Sequence, residues 1–313
     1  MEALVIGGTG HIGTFLTQQL ADADWKVTVV SSGRRAVDKK SFPAASEFVT
    51  LHYDRMLADG SFANLLAKHR PHAVVDILQA DAPGVYSACS EAGVCHLVFC
   101  GSLWMFGPPK VVPTPEVRQT ECPFEGYRRR FEQLQETVGR SEKKTLAVSA
   151  VMPPNICGPG KIPLDGKGGR SIEVHREHRR GLEVCLPFPG TNLIGPCDVK
   201  DVAQGFTRVL SDRDASAGEV FNVGAAYALT AEQFVNTYAD IYGVRIPIRY
   251  VDPGDFTRDV LPDLGANYHF LQHMCPDIRK IIAHLGYAPA YTPEESMERA
   301  VKWMSDARPD LIS

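Results

Sequence analysis

Residues 3–13 read Ala3-Leu4-Val5-Ile6-Gly7-Gly8-Thr9-Gly10-His11-Ile12-Gly13, and Val27-Thr28-Val29-Val30 follows a short interval later. The opening four residues form an apolar run of strand length, and Phe15, Leu16, Gln19 and Leu20 recur at three-four spacing, predicting a helix over 14–23. A strand, a glycine turn, a helix and a second strand within about 30 residues form a mononucleotide-binding unit. Right-handed crossover makes its two strands parallel neighbours. Each glycine has a physical task there: Gly7 a tight turn, Gly10 close approach of backbone to a pyrophosphate, Gly13 close packing of helix on strand. The helix N-terminus adds unpaired N–H groups and a partial positive charge, which favour phosphate.

A chain of 313 residues with 44% hydrophobic residues can bury a large core. Its net charge of −4, from 33 Lys+Arg against 37 Asp+Glu, exerts no overall pull on nucleic acid or anionic membrane, so neither is expected as a partner. No apolar run approaches the roughly 20 residues of a membrane span. Met1-Glu2 leads directly into the first strand, so a cytoplasmic location is the expectation. The eight cysteines are scattered without a C-x-x-C pair, which predicts reduced, mostly buried thiols and no metal site.

The end of the second strand sets the choice of dinucleotide, because it lies beside the adenosine ribose. A carboxylate there favours NAD; this chain has Ser31-Ser32-Gly33-Arg34-Arg35 instead. Two guanidiniums without a carboxylate point to NADP, with NAD as the alternative and solvated loop arginines as the bland reading. A third strand over 47–51 precedes Asp54, which either accepts from the adenine amino group or caps the following helix. A buried strand over 73–78 brings Leu78 toward the cofactor, and a helix over 84–92 and a strand over 95–100 follow. This alternation predicts an α/β fold with a doubly wound parallel sheet.

After that strand come Ser102-Leu103-Trp104-Met105-Phe106-Gly107 and, 25 residues past Ser102, Tyr127. With the glycine turn, Asn155-Ile156-Cys157-Gly158-Pro159-Gly160, Asp198-Val199-Lys200-Asp201-Val202-Ala203, Phe221-Asn222-Val223-Gly224 and Leu285-Gly286-Tyr287, the chain resembles the extended short-chain dehydrogenase/reductase family along nearly its whole length. That family includes nucleotide-sugar epimerases and dehydratases. The resemblance implies a Rossmann domain, with Gly7, Gly10, His11, Ile12 and Gly13 at the cofactor phosphates. It also implies Tyr127 as general acid/base, Ser102 as holder of the substrate oxygen, and a lysine four residues past the tyrosine. A phenol with an ordinary pKa near 10 needs such a cation to act as a base at pH 7. Position 131 is phenylalanine, so the lysine is absent. Arg130 either takes its place on nearly the same helix face or belongs, with Arg128 and Arg129, to a solvated face opposite Phe131, Leu134 and Val138.

The cofactor domain is expected at 1–155, with 197–224 returning to it, and a smaller C-terminal α/β substrate-binding lobe at 156–313. Six Lys, Arg or His side chains between Lys161 and His178 can receive an anionic or sugar-like small-molecule substrate. His175 and His178 read as a solvated face rather than metal ligands, and a helix over 269–285 places His269 and His273 on one face, packed or solvated. The expected activity is NAD(P)-dependent redox, epimerase or dehydratase chemistry on a sugar-like or polyhydroxylated substrate. The alternatives are a nucleotide-binding sensor that has lost turnover and, against the charge, an RNA-binding protein. A homodimer through the tyrosine helix is a further expectation.

Overall fold

The computed structural model describes residues 1–34, 37–79 and 81–307. Its first half alternates strand and helix: β1 (Glu2–Ile6), α1 (His11–Asp22), β2 (Lys26–Ser31), β3 (Glu47–Thr50), α2 (Ser61–His69), β4 (Ala73–Asp76), α3 (Ala82–Glu91), β5 (His96–Cys100), α4 (Glu125–Gly139) and β6 (Ala147–Met152). Then come β7 (Asn155–Cys157), α5 (Ile172–Arg179), β8 (Val184–Pro187), β9 (Leu193–Ile194), β10 (Pro196–Asp198), α6 (Val199–Ser211), α7 (Arg213–Ser216) and β11 (Val220–Asn222). The chain ends with β12 (Leu229–Thr230), α8 (Ala231–Tyr242), β13 (Ile248–Val251), the single turn α9 (Pro253–Asp255), α10 (Leu264–Leu271), α11 (Arg279–Leu285) and α12 (Pro293–Ala307).

Seven strands form one parallel sheet in the order β11-β6-β5-β4-β1-β2-β3. Buried on both faces, its strands are continuous apolar runs whose side chains alternate between two cores. Ala3 and Val5 of β1 join Leu16, Leu20, Phe206 and Ile281 on one face, while Leu4 and Ile6 join Phe62, Val85 and Leu134 on the other. The order reverses between β1 and β4, and a crevice opens at the carboxyl ends of those strands, as doubly wound sheets require.

Residues after β10 return to this sheet: β11 pairs with β6, and α6 lies on α1, where Gln19 Nε2 donates to the Lys200 carbonyl at 2.8 Å. Asp198 accepts from the Lys200 N–H and pairs with Arg299 Nε, each at 2.8 Å, and Asp201 accepts from the N–H groups of Ala290 and Tyr291. The two aspartates thereby bind the start of α6 to the C-terminal segment. A third core, with Leu186, Phe234, Tyr238, Phe270 and Met297, fills the remaining lobe.

Two local expectations are corrected. The strand expected to run to residue 78 stops at Asp76, because its Oδ1 accepts from the N–H groups of Leu78 (3.0 Å) and Gln79 (2.9 Å) and turns the backbone. The helix expected over 269–285 is two helices: Met274 N–H donates to Leu193 O, and Pro276, bridged to Thr114, has no N–H to continue a helix.

Candidate active site

The glycine turn is fixed by β2 and by a tyrosine. Gly7 and Gly8 N–H both donate to Val30 O (3.0 and 3.1 Å), while the Tyr53 phenol donates to the same carbonyl at 3.1 Å and accepts from Gly7 N–H at 3.3 Å. A Cβ on Gly13 would lie 2.5 Å from Gly8 Cα and 2.6 Å from Gly7 O, so helix and turn touch through backbone alone. On Gly10 it would meet only Gly7 O, at 3.1 Å, leaving its other side open. Gly10 is the N-cap of α1, with no side-chain cap and no acid in the first turn. The leading N–H groups and the helix dipole therefore face the crevice without a protein anion, and this cradle fits a dinucleotide pyrophosphate.

From the turn a cleft of about 470 Å³ runs along Gly7, Gly10, His11 and Ile12, past Leu78, to Ser102 and Tyr127. Ser102 follows β5, where its Oγ accepts from Trp104 N–H at 3.3 Å and starts a 3₁₀ turn over Leu103–Phe106. Tyr127 stands in the first turn of α4. Burial raises its phenol above the ordinary value; the Arg130 charge and a hydrogen bond with Ser102 act in the opposite direction. The position the family gives to lysine is in the core: Phe131 is buried, with its ring 5.5 Å from that of Phe106. Arg130 lies on the exposed side of α4, and its carbonyl accepts from Gln79 Nε2 at 2.7 Å.

His11 Nε2 donates to Pro159 O at 2.8 Å, and burial pushes the imidazole down to about 4, so it is neutral at pH 7 and holds the 158–170 loop against α1. Ser31 ends β2; Arg34 is exposed beyond it, and Arg35 lies outside the described residues. Asp54 is exposed on the turn after β3, and the helix-capping role considered for it falls to Asp59, whose Oδ1 accepts from Ser61 N–H at 2.9 Å. Of the six cations expected at the substrate, Lys161 and Arg170 line the cleft. Lys167 pairs with Glu177 and Arg176 with Glu173.

His175 and His178 are not a solvated face; both are buried beneath that loop. His175 Nε2 donates to Pro163 O and its Nδ1 accepts from the Tyr242 hydroxyl, each at 3.2 Å, while His178 Nε2 accepts from Gly166 N–H at 3.0 Å and stacks on Tyr238. The i, i+3 spacing was visible, but the loop that folds over it was not. Sequence reasoning also missed the cleft wall. Trp104 stacks 4.8 Å from His269, whose Nδ1 is buried without a hydrogen-bond partner among the described residues. Burial and the Arg170 charge push that imidazole down to about 4. Asn155 lines the same cleft with its Nδ2 likewise buried and unpartnered. The aromatic at Trp104 in the Ser102 turn was the available signal for the wall; His269 had none, because it arrives from α10.

The NAD dependent epimerase/dehydratase family model matches residues 3–87 and 83–224. A probable UDP-arabinose 4-epimerase 3 of Oryza sativa subsp. japonica is 22% identical over 96% of this chain and 82% of its own length. Among solved structures, the UDP-glucose 4-epimerase of Thermotoga maritima with UDP-glucose superposes with a TM-score of 0.75 at 21% identity, covering 98% of this chain and 99% of that one. The UDP-glucose 4-epimerase of Stenotrophomonas maltophila, with bound NAD and formylated UDP-arabinopyranose, gives 0.77 at 20% identity over 99% of both chains.

Proposed function

Because the chain belongs to the NAD dependent epimerase/dehydratase family, we propose that it is a nicotinamide-dependent enzyme acting at a carbinol carbon of a sugar nucleotide. One observation carries the reading: Ser102 and Tyr127 line the same cleft as the glycine turn and the open N-terminus of α1. Gly7, Gly10 and Ile12 would hold the dinucleotide at its phosphates and Leu78 would flank it. When bound, its nicotinamide supplies hydride acceptance and return. Ser102 holds the substrate oxygen, and Tyr127, once ionised, takes the hydroxyl proton and later restores it. Arg130 supplies the charge that favours the phenolate; Lys161 and Arg170 favour an anionic group on the substrate, such as a diphosphate.

The finer cofactor assignment is NADP(H), since no carboxylate follows β2 and Arg34 is exposed there; NAD, found in solved relatives, is the alternative. Calorimetric titration of the protein and of Arg34→Ala with each cofactor decides it: an NADPH preference that Arg34→Ala reduces supports the assignment, and an NADH preference in both overturns it. Residues 1–155 with 197–224 are assigned to cofactor binding and 156–313 to the substrate lobe. Pairing of two copies through α4 and a cytoplasmic location, which eight unpaired cysteines fit, belong to the same reading.

A nucleotide-binding sensor without turnover is the second reading, favoured by Phe131 in the core. Incubation with either cofactor and a panel of UDP-sugars, followed by NMR, separates the two. Conversion of one sugar to its epimer or dehydrated product supports the enzyme; cofactor binding with no conversion supports the sensor, and salt-sensitive retention of RNA overturns both.

A further inference from the structure

Behind the cleft, the turn after β4 carries a carboxylate that the proposed chemistry has not used. Asp76 is 1% exposed. Its Oδ1 is spent on the Leu78 and Gln79 N–H groups, whereas its Oδ2 is buried with no partner among the described residues. Gln79 has a left-handed backbone (φ 47°), and its Nε2 donates to Arg130 O at 2.7 Å, tying this turn to α4 three residues past Tyr127. The Arg130 guanidinium thus has two clients. It is the foremost charge lowering the Tyr127 phenol, and it also lowers the Asp76 carboxyl, which burial otherwise pushes up to about 6.

We propose that Asp76 is a positioning residue that sets the acidity of Tyr127 by sharing the Arg130 charge, the turn and the guanidinium together standing where the family places its lysine. The inference rests on Tyr127 being the acid/base group. An ionised Asp76 partly cancels the field of Arg130 at the phenol; a neutral side chain there leaves the cation whole. The remaining groups facing the pair do not supply this control. Cys89 and Cys100 beside Asp76, and Cys122 and Cys100 beside Tyr127, are thiols that burial keeps protonated, and the Tyr53 phenol is likewise raised. Asp81 is exposed and screened by water. Across the cleft His269 is neutral at pH 7, and Arg170 is bound to the Ile162 and Ile156 carbonyls.

Asp76→Asn tests this directly, because an amide oxygen still accepts from Leu78 and Gln79 while the charge is gone. Tyr127 ionisation is read as the ultraviolet difference between each protein and its Tyr127→Phe counterpart, with the pH profile of kcat alongside. The expected result is a midpoint lower by about one pH unit, with the rising limb of kcat moving the same way. In an Arg130→Gln background the shift should fall below half. A folded Asp76→Asn with an unmoved midpoint overturns the proposal, as does a uniform loss of activity at all pH values without a shift. If Asp76→Asn fails to fold, Arg130→Gln at its exposed site still decides: it must raise both the Tyr127 midpoint and the Asp76 midpoint, the latter followed by carboxyl carbon NMR, and movement of only one overturns the shared charge. A shifted phenol without turnover would uphold the inference and reject the enzyme reading; turnover with an unshifted limb would do the reverse.

Discussion

Gly13→Ala should loosen the phosphate cradle from behind. The added Cβ would sit 2.5 Å from Gly8 Cα, 2.5 Å from Gly8 O and 2.6 Å from Gly7 O, where ordinary contact begins near 3.4 Å. All three neighbours are backbone, and Gly7 and Gly8 are pinned to Val30 O, so α1 must withdraw by roughly 1 Å. Overpacking of this kind costs about 1–3 kcal/mol, at its upper end where backbone must move, and the gain in helix propensity returns about 1 kcal/mol. The net loss of about 2 kcal/mol should lower Tm by about 4–8 °C. The same displacement pulls the leading N–H groups of α1 from the phosphates, so cofactor affinity should fall more than tenfold. Gly10→Val is the contrasting variant: the N-cap has φ −78° and open space beyond Gly7 O, so the fold should stand while the side chain fills the pyrophosphate space and removes binding. Differential scanning calorimetry and isothermal titration read both. A Gly13→Ala protein with unchanged or raised Tm and full affinity would refute the packing argument.

Stability should fall steeply between about pH 6.5 and 4. His11, His96, His178 and His269 are each held down at about 4 by burial, so the unfolded chain takes up their protons first; Asp76, raised to about 6, acts oppositely and offsets one of them. With about three protons taken up on unfolding, the slope approaches roughly 4 kcal/mol per pH unit, and urea melts across this range check it. His178→Ala should cost about 2–4 kcal/mol, because it removes the Gly166 acceptor and the ring stacked on Tyr238. The same melts should show no effect of a chelator on the unchanged protein; a chelator-dependent loss would restore the metal reading of that histidine pair.

The sheet was legible because its strands are apolar runs bounded by glycine and polar turns, and because residues 3–30 complete one crossover unit. The family followed from motifs distributed along the chain, each weak on its own. What stayed hidden depends on segments distant in sequence meeting in space. His175 and His178 have the spacing of a surface helix, yet the 158–170 loop covers them. The break at residues 272–278 follows from bonds to Leu193 and Thr114, which no local pattern encodes. Phe131 showed that the lysine was missing, whereas the partnership of Arg130 with the Asp76 turn required the contact between Gln79 and α4. Tyr53 was passed over because its partners, Gly7 and Val30, lie in other strands and turns.

The most direct test of the account follows a UDP-sugar substrate identified from the panel by NMR, with the cofactor-loaded protein and its Tyr127→Phe variant compared at matched cofactor occupancy. The account predicts conversion by the unchanged protein and a loss of about 10²- to 10⁴-fold in rate for the variant, with cofactor affinity nearly unaltered, since one proton-transferring oxygen is removed and little volume. Equal rates in the two proteins would contradict it.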